Sequence, residues 1–562
     1  MKKITLDDRH LCDLEMLLNG GFFPLTGFLG ENDYHSVLND MQIINKSTRE
    51  STLWPIPIVL RLQKNRNNVV VGEHVTLLNS NNEPVSLLTV TDVYEPNLDY
   101  EFEKIYGCAD DTHDYIKYVK DLSKEGDGLV YIGGKVEKIG KGIVHYNFNE
   151  YRNTPEETKQ FFKDNGWSTI LGFQTRNPMH KCHYELTRSA MKEISDNTST
   201  NTATTATTAT TVKLFLNPVI GVTQHCDVPY EVRVRCYIKL LQHYPKNSVK
   251  LSLLPLSMRM AGPREALWHA LIRQNYGCTH FVVGRDHAGP SSKKHDGTSF
   301  FGPYDAHKLL DENKNKLQIK VIKSIALSYV PKLGKYVQCN DIDNKNEQLN
   351  LSGTRLREML RNGEDIPEWF TFPEIAEELQ HYYPPSKKQG FCLYFVGLSG
   401  CGKTTLSKAI IEKLGELVND RHITMLDGDV VRENLGQLGF SKNDRSLNVR
   451  RIGYMAQTIV KNRGICVCAN IAPYHEDREH NRRKIDNYIE IYLSTPLSIC
   501  EKRDVKGLYK KARTGEIANF TGISDPFEEP TDSDLVLCCD SIDLIDQHIE
   551  TIIATLKDKG LI

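Results

Sequence analysis

Phe391-Cys-Leu-Tyr-Phe-Val396-Gly397-Leu-Ser-Gly-Cys-Gly402-Lys403-Thr404-Thr405 decides the fold of the C-terminal third of the chain. Its first six residues form an unbroken apolar run, the pattern of a strand buried on both faces. Residues 397–404 fit G-x-x-x-x-G-K-[ST], and the run TTLSKAIIEKL behind them is helical. Strand, glycine-rich turn and helix in that order make a phosphate cradle. The glycines let consecutive amides point at phosphate oxygens, and the helix adds its positive N-terminal end. Gly397, Leu398, Ser399, Gly400, Cys401, Gly402, Lys403, Thr404 and Thr405 are therefore the expected ATP contacts. Lys403 would reach the outer phosphates and the Thr404 hydroxyl would ligate a nucleotide-bound Mg²⁺. Such a loop identifies a nucleotide site without naming its reaction.

The residues that follow narrow the chemistry. HITMLDGD at 422–429 reads as a second strand with Asp427 and Asp429 at its carboxyl end, and Arg432 comes three residues later. Carboxylates there can hold Mg²⁺ or position an acceptor hydroxyl. Gly439-Phe440-Ser-Lys-Asn-Asp444-Arg445-Ser-Leu-Asn448-Val-Arg450-Arg451 adds guanidinium groups suited to multi-oxygen anions, and an aromatic ring able to stack on a purine. For Arg450 and Arg451 a solvated charged helix face explains the pattern equally well.

GLSGCGKTTLS, DGDVVRENL, GFSKNDRSLNVRRIGYMA and DVKGLYKKARTGEIANFTGISDPFEEP together resemble adenylylsulfate kinases over about residues 390–555. The resemblance implies that Asp429, Arg432, Phe440, Arg445, Asn448, Ile471, Lys510 and Phe520 hold adenylylsulfate, with Phe440 and Phe520 on either side of its adenine. Residues 505–525 would form a mobile lid with Lys506 and Lys510 facing phosphates, and Asp429 would accept the 3′-hydroxyl proton. Ala472 stands where the family commonly has serine, which excludes a phosphoserine at this position, and His475 replaces a usual arginine.

Further toward the N-terminus, short β-rich runs such as WPIPIVL (54–60) and NVVVGEHVTLL (68–78) indicate a β-rich domain over 1–160. Over 161–330, strands alternate with helices, the signature of a parallel α/β sheet. There Gln174-Thr175-Arg176-Asn177-Pro178-Met179-His180-Lys181-Cys182-His183 follows the strand STILGF. Asn177 suits a helix N-cap and Pro178 the first helical position, which puts His180 and His183 on one face beside an anion-attracting helix end. Gln174 and Arg176 supply donors for an oxyanion. His-x-x-His could also ligate a metal, but no third ligand lies at useful spacing. A second polar turn, Gly284-Arg285-Asp286-His287-Ala288-Gly289-Pro290, leaves the strand HFVV.

With LLNGGFFPLTGFLG, NPVIGVT, MRMAGPREALWHA and LSGTRLREML, these segments resemble ATP sulfurylases over about residues 1–385. The resemblance implies a PUA-like N-terminal domain followed by a Rossmann-like nucleotidyltransferase. Gln174, Arg176 and Ala288 would contact sulfate. Gln174, Asn177, Gly284, Arg285, Asp286, His287 and Val330 would hold ATP. Thr175, Arg176, Asn177, His180 and His183 would form the catalytic core, and Tyr184 stands where an arginine is usual. Residues 331–388 would be a small subdomain and linker ending in HYYPPSKKQG, and 389–562 the P-loop kinase domain, so the fold class is multidomain α/β.

Sulfate is a poor nucleophile, so catalysis must align it with the α-phosphorus and offset developing charge. Forming adenylylsulfate from ATP is uphill, and 3′-phosphorylation to 3′-phosphoadenylylsulfate would draw the step forward. The alternative is a regulator: filamentous-fungal sulfurylases carry a kinase-like C-terminal domain that binds 3′-phosphoadenylylsulfate without a working phosphate loop.

The composition, 40% hydrophobic and 25% charged, is that of a globular protein. Lys+Arg (70) nearly cancel Asp+Glu (72) over 562 residues, so no overall field favours nucleic acid or an anionic membrane. No apolar stretch approaches a bilayer span. The 14 cysteines show no C-x-x-C pair, which favours buried thiols in a reducing, cytoplasmic compartment. The Thr/Asn/Ala tract at 195–211 should be a disordered surface loop. ATP, sulfate and adenylylsulfate are the expected partners, with Mg²⁺ accompanying ATP and no tightly bound protein metal. The families imply a homo-oligomer, a dimer or hexamer.

Overall fold

A computed structural model describes residues 2–44, 50–66, 68–200, 211–224, 227–339, 348–436 and 438–562. The chain divides into two compact units, residues 1–352 with 366–379, and residues 353–365 with 380–562. No described helix is long and apolar enough to cross a membrane.

The first unit begins with a six-stranded sheet in the order Lys2–Thr5, His74–Leu78, Pro84–Tyr94, Leu129–Lys138, Gly27–Phe28, with Leu60–Gln63 also paired to Leu129–Lys138. Only the Lys2–Thr5 pairing is parallel. Four helices accompany the strands, from Asp8–Leu18 to Asp114–Glu125, more helix than the β-rich reading of the sequence anticipated. Beneath the sheet lies a buried polar knot. Glu101 accepts from Arg61 Nη2 (3.1 Å), Tyr34 Oη (2.9 Å) and Tyr131 Oη (2.8 Å). All four groups are sequestered from water, so the carboxylate is tolerated only because every partner is present. Glu101→Ala should therefore lower the stability of this unit by about 3–5 kcal/mol. All four tryptophans of the chain, Trp54, Trp167, Trp268 and Trp369, lie in the first unit, so denaturant unfolding followed by tryptophan fluorescence reads the effect.

The same unit contains a five-stranded, fully parallel sheet ordered Val249–Leu251, Lys213–Leu216, Ile170–Phe173, His280–Val283, Lys320–Lys323. The chain leaves the central strand Ile170–Phe173 toward one edge, then returns beside it at His280–Val283 and continues toward the other. The strand order thus reverses between these two, and in open α/β sheets ligands bind at the carboxyl ends of such a pair. The residues leaving them are Gln174–His183 and Gly284–Pro290.

The helix Pro155–Asp164 that leads into this sheet opens with a capping box between Thr154 and Glu157 and with proline at its first turn. Helix Lys181–Thr200 overruns the tract read as disordered: residues 195–200 are helical, while 201–210 lie outside the described residues. Once a helix is nucleated, adding polar residues to its end costs little.

The second unit contains another five-stranded parallel sheet, ordered Ile423–Asp427, Ile465–Ala469, Phe391–Val396, Tyr488–Leu493, Leu535–Leu537. Phe391–Val396 is central and buried along its whole length, as its unbroken apolar run requires. Helix Lys403–Leu417 follows it directly through the glycine-rich turn, and helix Lys442–Lys461 starts at a capping box between Ser441 and Asp444. Cys392, Cys466 and Cys468 are buried together on one side of this sheet, and all described cysteines are free.

Candidate active sites

In the first unit the chain turns sharply after Phe173. Thr175 Oγ1 accepts the Asn177 amide (3.1 Å), and the Thr175 carbonyl accepts from Val219 N (3.0 Å). This turn leaves Asn177 exposed and delays the helix to Lys181, so Asn177 is not its N-cap and Pro178 is not its first residue, as the sequence reading had them. The ring of His183 takes over part of the capping: its Nδ1 lies 3.2 Å from the His180 amide and 3.4 Å from Cys182 Sγ. Nε2 is therefore the nitrogen left for a ligand. His180 and His183 remain neighbours, with ring centroids 6.2 Å apart.

Their environments differ. Burial, with a smaller push from His183, lowers the His180 pKa to about 3, so this ring is neutral at physiological pH. Its Nδ1 meets Thr371 Oγ1 (3.0 Å) and its ring packs on Phe370 (4.2 Å). At His183 burial also opposes the charge, but the adjacent Cys182 sulfur more than offsets it and the pKa is raised. Arg176 pairs with the nearly buried Asp227. Tyr184 donates to the His243 carbonyl (2.8 Å) and packs edge-on against Phe372.

Across the sheet reversal, Gly284, Arg285, Asp286, His287 and Ala288 form the loop beyond His280–Val283. Asp286 and Ala288 adopt left-handed backbone conformations (φ 54° and 55°), and Arg285 Nε pairs with Asp286 (2.9 Å). A cavity of about 310 Å³ opens beside this loop, lined in part by Gly262, Pro263, Arg285, Asp286, His287 and Gly289; Gln174–His183 are not among its walls. Gln174 is joined to the loop through buried His269, which lies 3.4 Å from Gln174 Nε2 and 3.1 Å from His287 Nε2. Val330 is buried at the end of the hairpin strand Leu327–Val330.

Sequence reading missed Asp227, His269, Phe370 and Thr371. His269 stood within the quoted MRMAGPREALWHA, where its alignment with two loops left no periodic signal. Phe370 and Thr371 belong to a stretch read as subdomain and linker.

In the second unit Gly397, Gly400 and Gly402 have φ of 150°, 75° and 107°. A side chain on Gly397 would strike Cys401 Sγ and the Leu493 carbonyl, each 2.8 Å from its Cβ, so both backbone freedom and space require glycine. Lys403 Nζ donates to the carbonyls of Gly397 (2.8 Å) and Leu398 (2.7 Å). The Thr404 hydroxyl lies 3.2 Å from Asp427 Oδ2, and Asp427 Oδ1 accepts the Asp429 amide (2.9 Å). A hydroxyl and a carboxylate side by side next to a phosphate loop are the hard oxygen donors that Mg²⁺ favours, so the residues present fit a nucleotide-borne Mg²⁺.

Asp429 pairs with Lys506 (2.5 Å), both largely exposed. Arg432 lies over the Phe440 ring (4.7 Å) and donates to the Gly439 carbonyl. Phe440 itself is exposed, and Phe520 packs edge-on against Tyr509 (5.0 Å). Arg445 is almost buried, donating to Asp525 (2.7 Å), Thr521 and the Asn519 carbonyl, so it anchors the 519–525 segment in this structure. Tyr509 Oη reaches the Ser399 carbonyl (2.8 Å), tying the same region to the phosphate loop. Asn448 Nδ2 donates to the Gly428 carbonyl (3.1 Å), and its buried Oδ1 has no partner. Ile471 is half-buried and Lys510 exposed. Arg450 binds Asp477 (2.9 Å) and Glu476 (3.0 Å), and Arg451 the Leu435 carbonyl (2.9 Å), which favours the structural reading of both. Ala472 is buried with φ 42°, its carbonyl held by Arg478 (2.8 Å).

Comparison with known proteins gives three successive family matches along the chain. Residues 1–141 match a PUA-like domain, 149–382 the ATP-sulfurylase family and 389–538 the adenylylsulphate kinase family. A sulfate adenylyltransferase of Gibberella zeae is 40% identical, covering all of this chain and 94% of the relative. One of Yarrowia lipolytica is 38% identical over 96% of this chain and 90% of its own length. The solved hexameric APS kinase from Thiobacillus denitrificans is 28% identical, covers 100% of this chain and 94% of its own, and superposes with a TM-score of 0.75. The chain belongs to the sulfate adenylyltransferase (ATP-sulfurylase) family, with a PUA-like domain before its catalytic sheet and an adenylylsulphate-kinase-type domain after it.

Proposed function

We propose that this chain activates sulfate in two steps, transferring AMP from ATP to sulfate and then phosphorylating the 3′-hydroxyl of the resulting adenylylsulfate with a second ATP. The observation that carries the second step is the complete phosphate site of the C-terminal unit. It combines a glycine loop, Lys403, paired Thr404 and Asp427, and Asp429 at the mouth of the same sheet.

In the first site, Gln174 and Arg176 orient the sulfate oxygens. Asn177, the 284–287 loop and Val330 hold ATP, and His183 as a cation and His180 as a neutral donor stabilise charge on departing pyrophosphate. Fixed donors of this kind lower the barrier without a covalent intermediate. Thr175 shapes the turn rather than donating to substrate, since its hydroxyl is engaged within the loop. In the second site, Thr404 and Asp427 would hold Mg²⁺, which neutralises phosphate charge when bound. Lys403 stabilises the transferring phosphoryl group, while Asp429 receives the proton of the 3′-hydroxyl, and Lys506 keeps that carboxylate placed. Arg432 and Phe440 meet the acceptor. Ala472 has no hydroxyl and cannot form a phosphoserine, and direct in-line transfer is the simpler route.

The second reading, a non-catalytic regulatory domain, draws support from relatives that are named only sulfate adenylyltransferase. The Thiobacillus structure, named a hexameric kinase, supports a homo-oligomer. Incubating the chain with ATP, Mg²⁺, sulfate and pyrophosphatase and separating the nucleotides distinguishes the readings. We expect 3′-phosphoadenylylsulfate; adenylylsulfate as the sole product would overturn the kinase step and favour the regulatory reading.

A further inference from the structure

His269 lies on the helix Gly262–Asn275, wholly buried, between the two loops that leave the reversed strands. One ring nitrogen, Nε2, faces Gln174 Nε2 at 3.4 Å and Glu265 Oε1 at 3.5 Å; the other, Nδ1, faces His287 Nε2 at 3.1 Å. Glu265, itself buried, accepts the backbone amides of Arg259 (3.0 Å) and Ala261 (2.7 Å), which fixes its carboxylate in place. Gln174 Oε1 is buried and has no partner. Burial, helped by the nearby Arg273 cation, holds His269 well below the usual histidine pKa, and burial does the same to His287.

A neutral imidazole donates from one nitrogen and accepts at the other, so this chain of groups has only two consistent settings. With the proton on Nδ1, His269 donates to His287 and accepts the Gln174 NH₂, leaving the unpaired Oε1 to face the anion. With the proton on Nε2, His269 donates toward Glu265 and Gln174 Oε1, and accepts from His287 Nε2–H. Gln174, its carboxamide turned by half a rotation, then offers its NH₂ to the anion. Each ring stays neutral in both. Sulfate accepts hydrogen bonds and donates none, so only the second setting suits it, and in that setting Glu265 Oε1, 3.5 Å away, stands as a further acceptor for Nε2–H.

We propose that His269 is a positioning residue for the sulfurylase step, a buried relay that turns the donor end of Gln174 toward sulfate and couples it to the nucleotide loop through His287. This rests on the reading that Gln174 contacts sulfate.

The test uses the full chain and the sulfate-dependent release of pyrophosphate. His269→Asn keeps a polar group on the His287 side but withdraws it from Gln174; KM for sulfate should rise about ten- to a hundredfold, the effect of one unsatisfied buried group, with KM for ATP little changed. His269→Gln reaches the Nε2 position and should restore most of the sulfate affinity. Parallel changes in both KM values in both variants would show a packing role and overturn the proposal. If Gln174→Ala leaves KM for sulfate unchanged, the underlying assignment of Gln174 fails instead. Should the variants not fold, ¹⁵N-imidazole NMR of the wild-type chain with sulfate and a non-hydrolysable ATP analogue decides. A protonated Nε2 and bare Nδ1 at His269 support the relay, and the reverse contradicts it.

Discussion

Lys403→Ala should lower the rate of 3′-phosphoadenylylsulfate formation by roughly 10²–10³-fold, the loss typical of one preorganised donor at a site of developing charge. Sulfate-dependent pyrophosphate release should continue at the wild-type rate, because among the described residues the hydrogen bonds of Lys403 Nζ go to its own loop, through Gly397, Leu398 and Cys401. Adenylylsulfate would then accumulate in the presence of pyrophosphatase, where the wild-type chain is expected to convert it onward. The asymmetry is diagnostic: general unfolding would suppress both products, and a purely regulatory domain would show no second product to lose. Nucleotide chromatography against time, on the same preparations, reads both rates.

His183→Ala should give the opposite pattern, lowering sulfate-dependent pyrophosphate release by roughly 10²–10³-fold and sparing phosphorylation of supplied adenylylsulfate. His183 offers Nε2 to the site because Nδ1 is turned to the His180 amide and Cys182. Nδ1 accepts the amide only in the neutral ring; in the cation its proton faces the Cys182 sulfur, which raises the pKa against the opposing effect of burial, so the cationic ring persists to a higher pH than an ordinary histidine. In the proposed mechanism the cation is the form that stabilises leaving pyrophosphate. Sulfurylase kcat/KM should therefore fall as pH rises through that raised value. Cys182→Ala removes the cause of the elevation and should move this alkaline limb to lower pH with the plateau rate largely kept. An unmoved limb would assign the titration to another group. His180 cannot supply it, since its pKa is pushed down to about 3 by burial.

Much of this was legible in the sequence because it depends on local order along the chain. The strand Phe391–Val396, the glycine turn and the helix from Lys403 are consecutive, and each announces itself by composition. The loops Gln174–His183 and Gly284–Pro290 could likewise be read as strand exits. Their convergence depends on strand order, which a single sequence does not display; the parallel pairing of Ile170–Phe173 with His280–Val283 brings them together. Asn177 and Pro178 look like a helix start by residue type, yet the Thr175 hydroxyl captures the Asn177 amide and the helix waits until Lys181. Tertiary partners also decide which charges are available. Arg176 is held by Asp227, Arg445 by Asp525 and Arg450 by Asp477, none of them predictable from spacing. Thr371 and Phe370 reach His180 from nearly two hundred residues away along the chain, a contact that only folding reveals.

The proposed function requires two separate ATP sites on one polypeptide, one beside each parallel sheet. Calorimetric titration of the full chain with a non-hydrolysable ATP analogue and Mg²⁺ counts them. Two equivalents per chain are expected, falling to one in Lys403→Ala. A single equivalent in the wild-type chain, unchanged by that substitution, would contradict the proposed function.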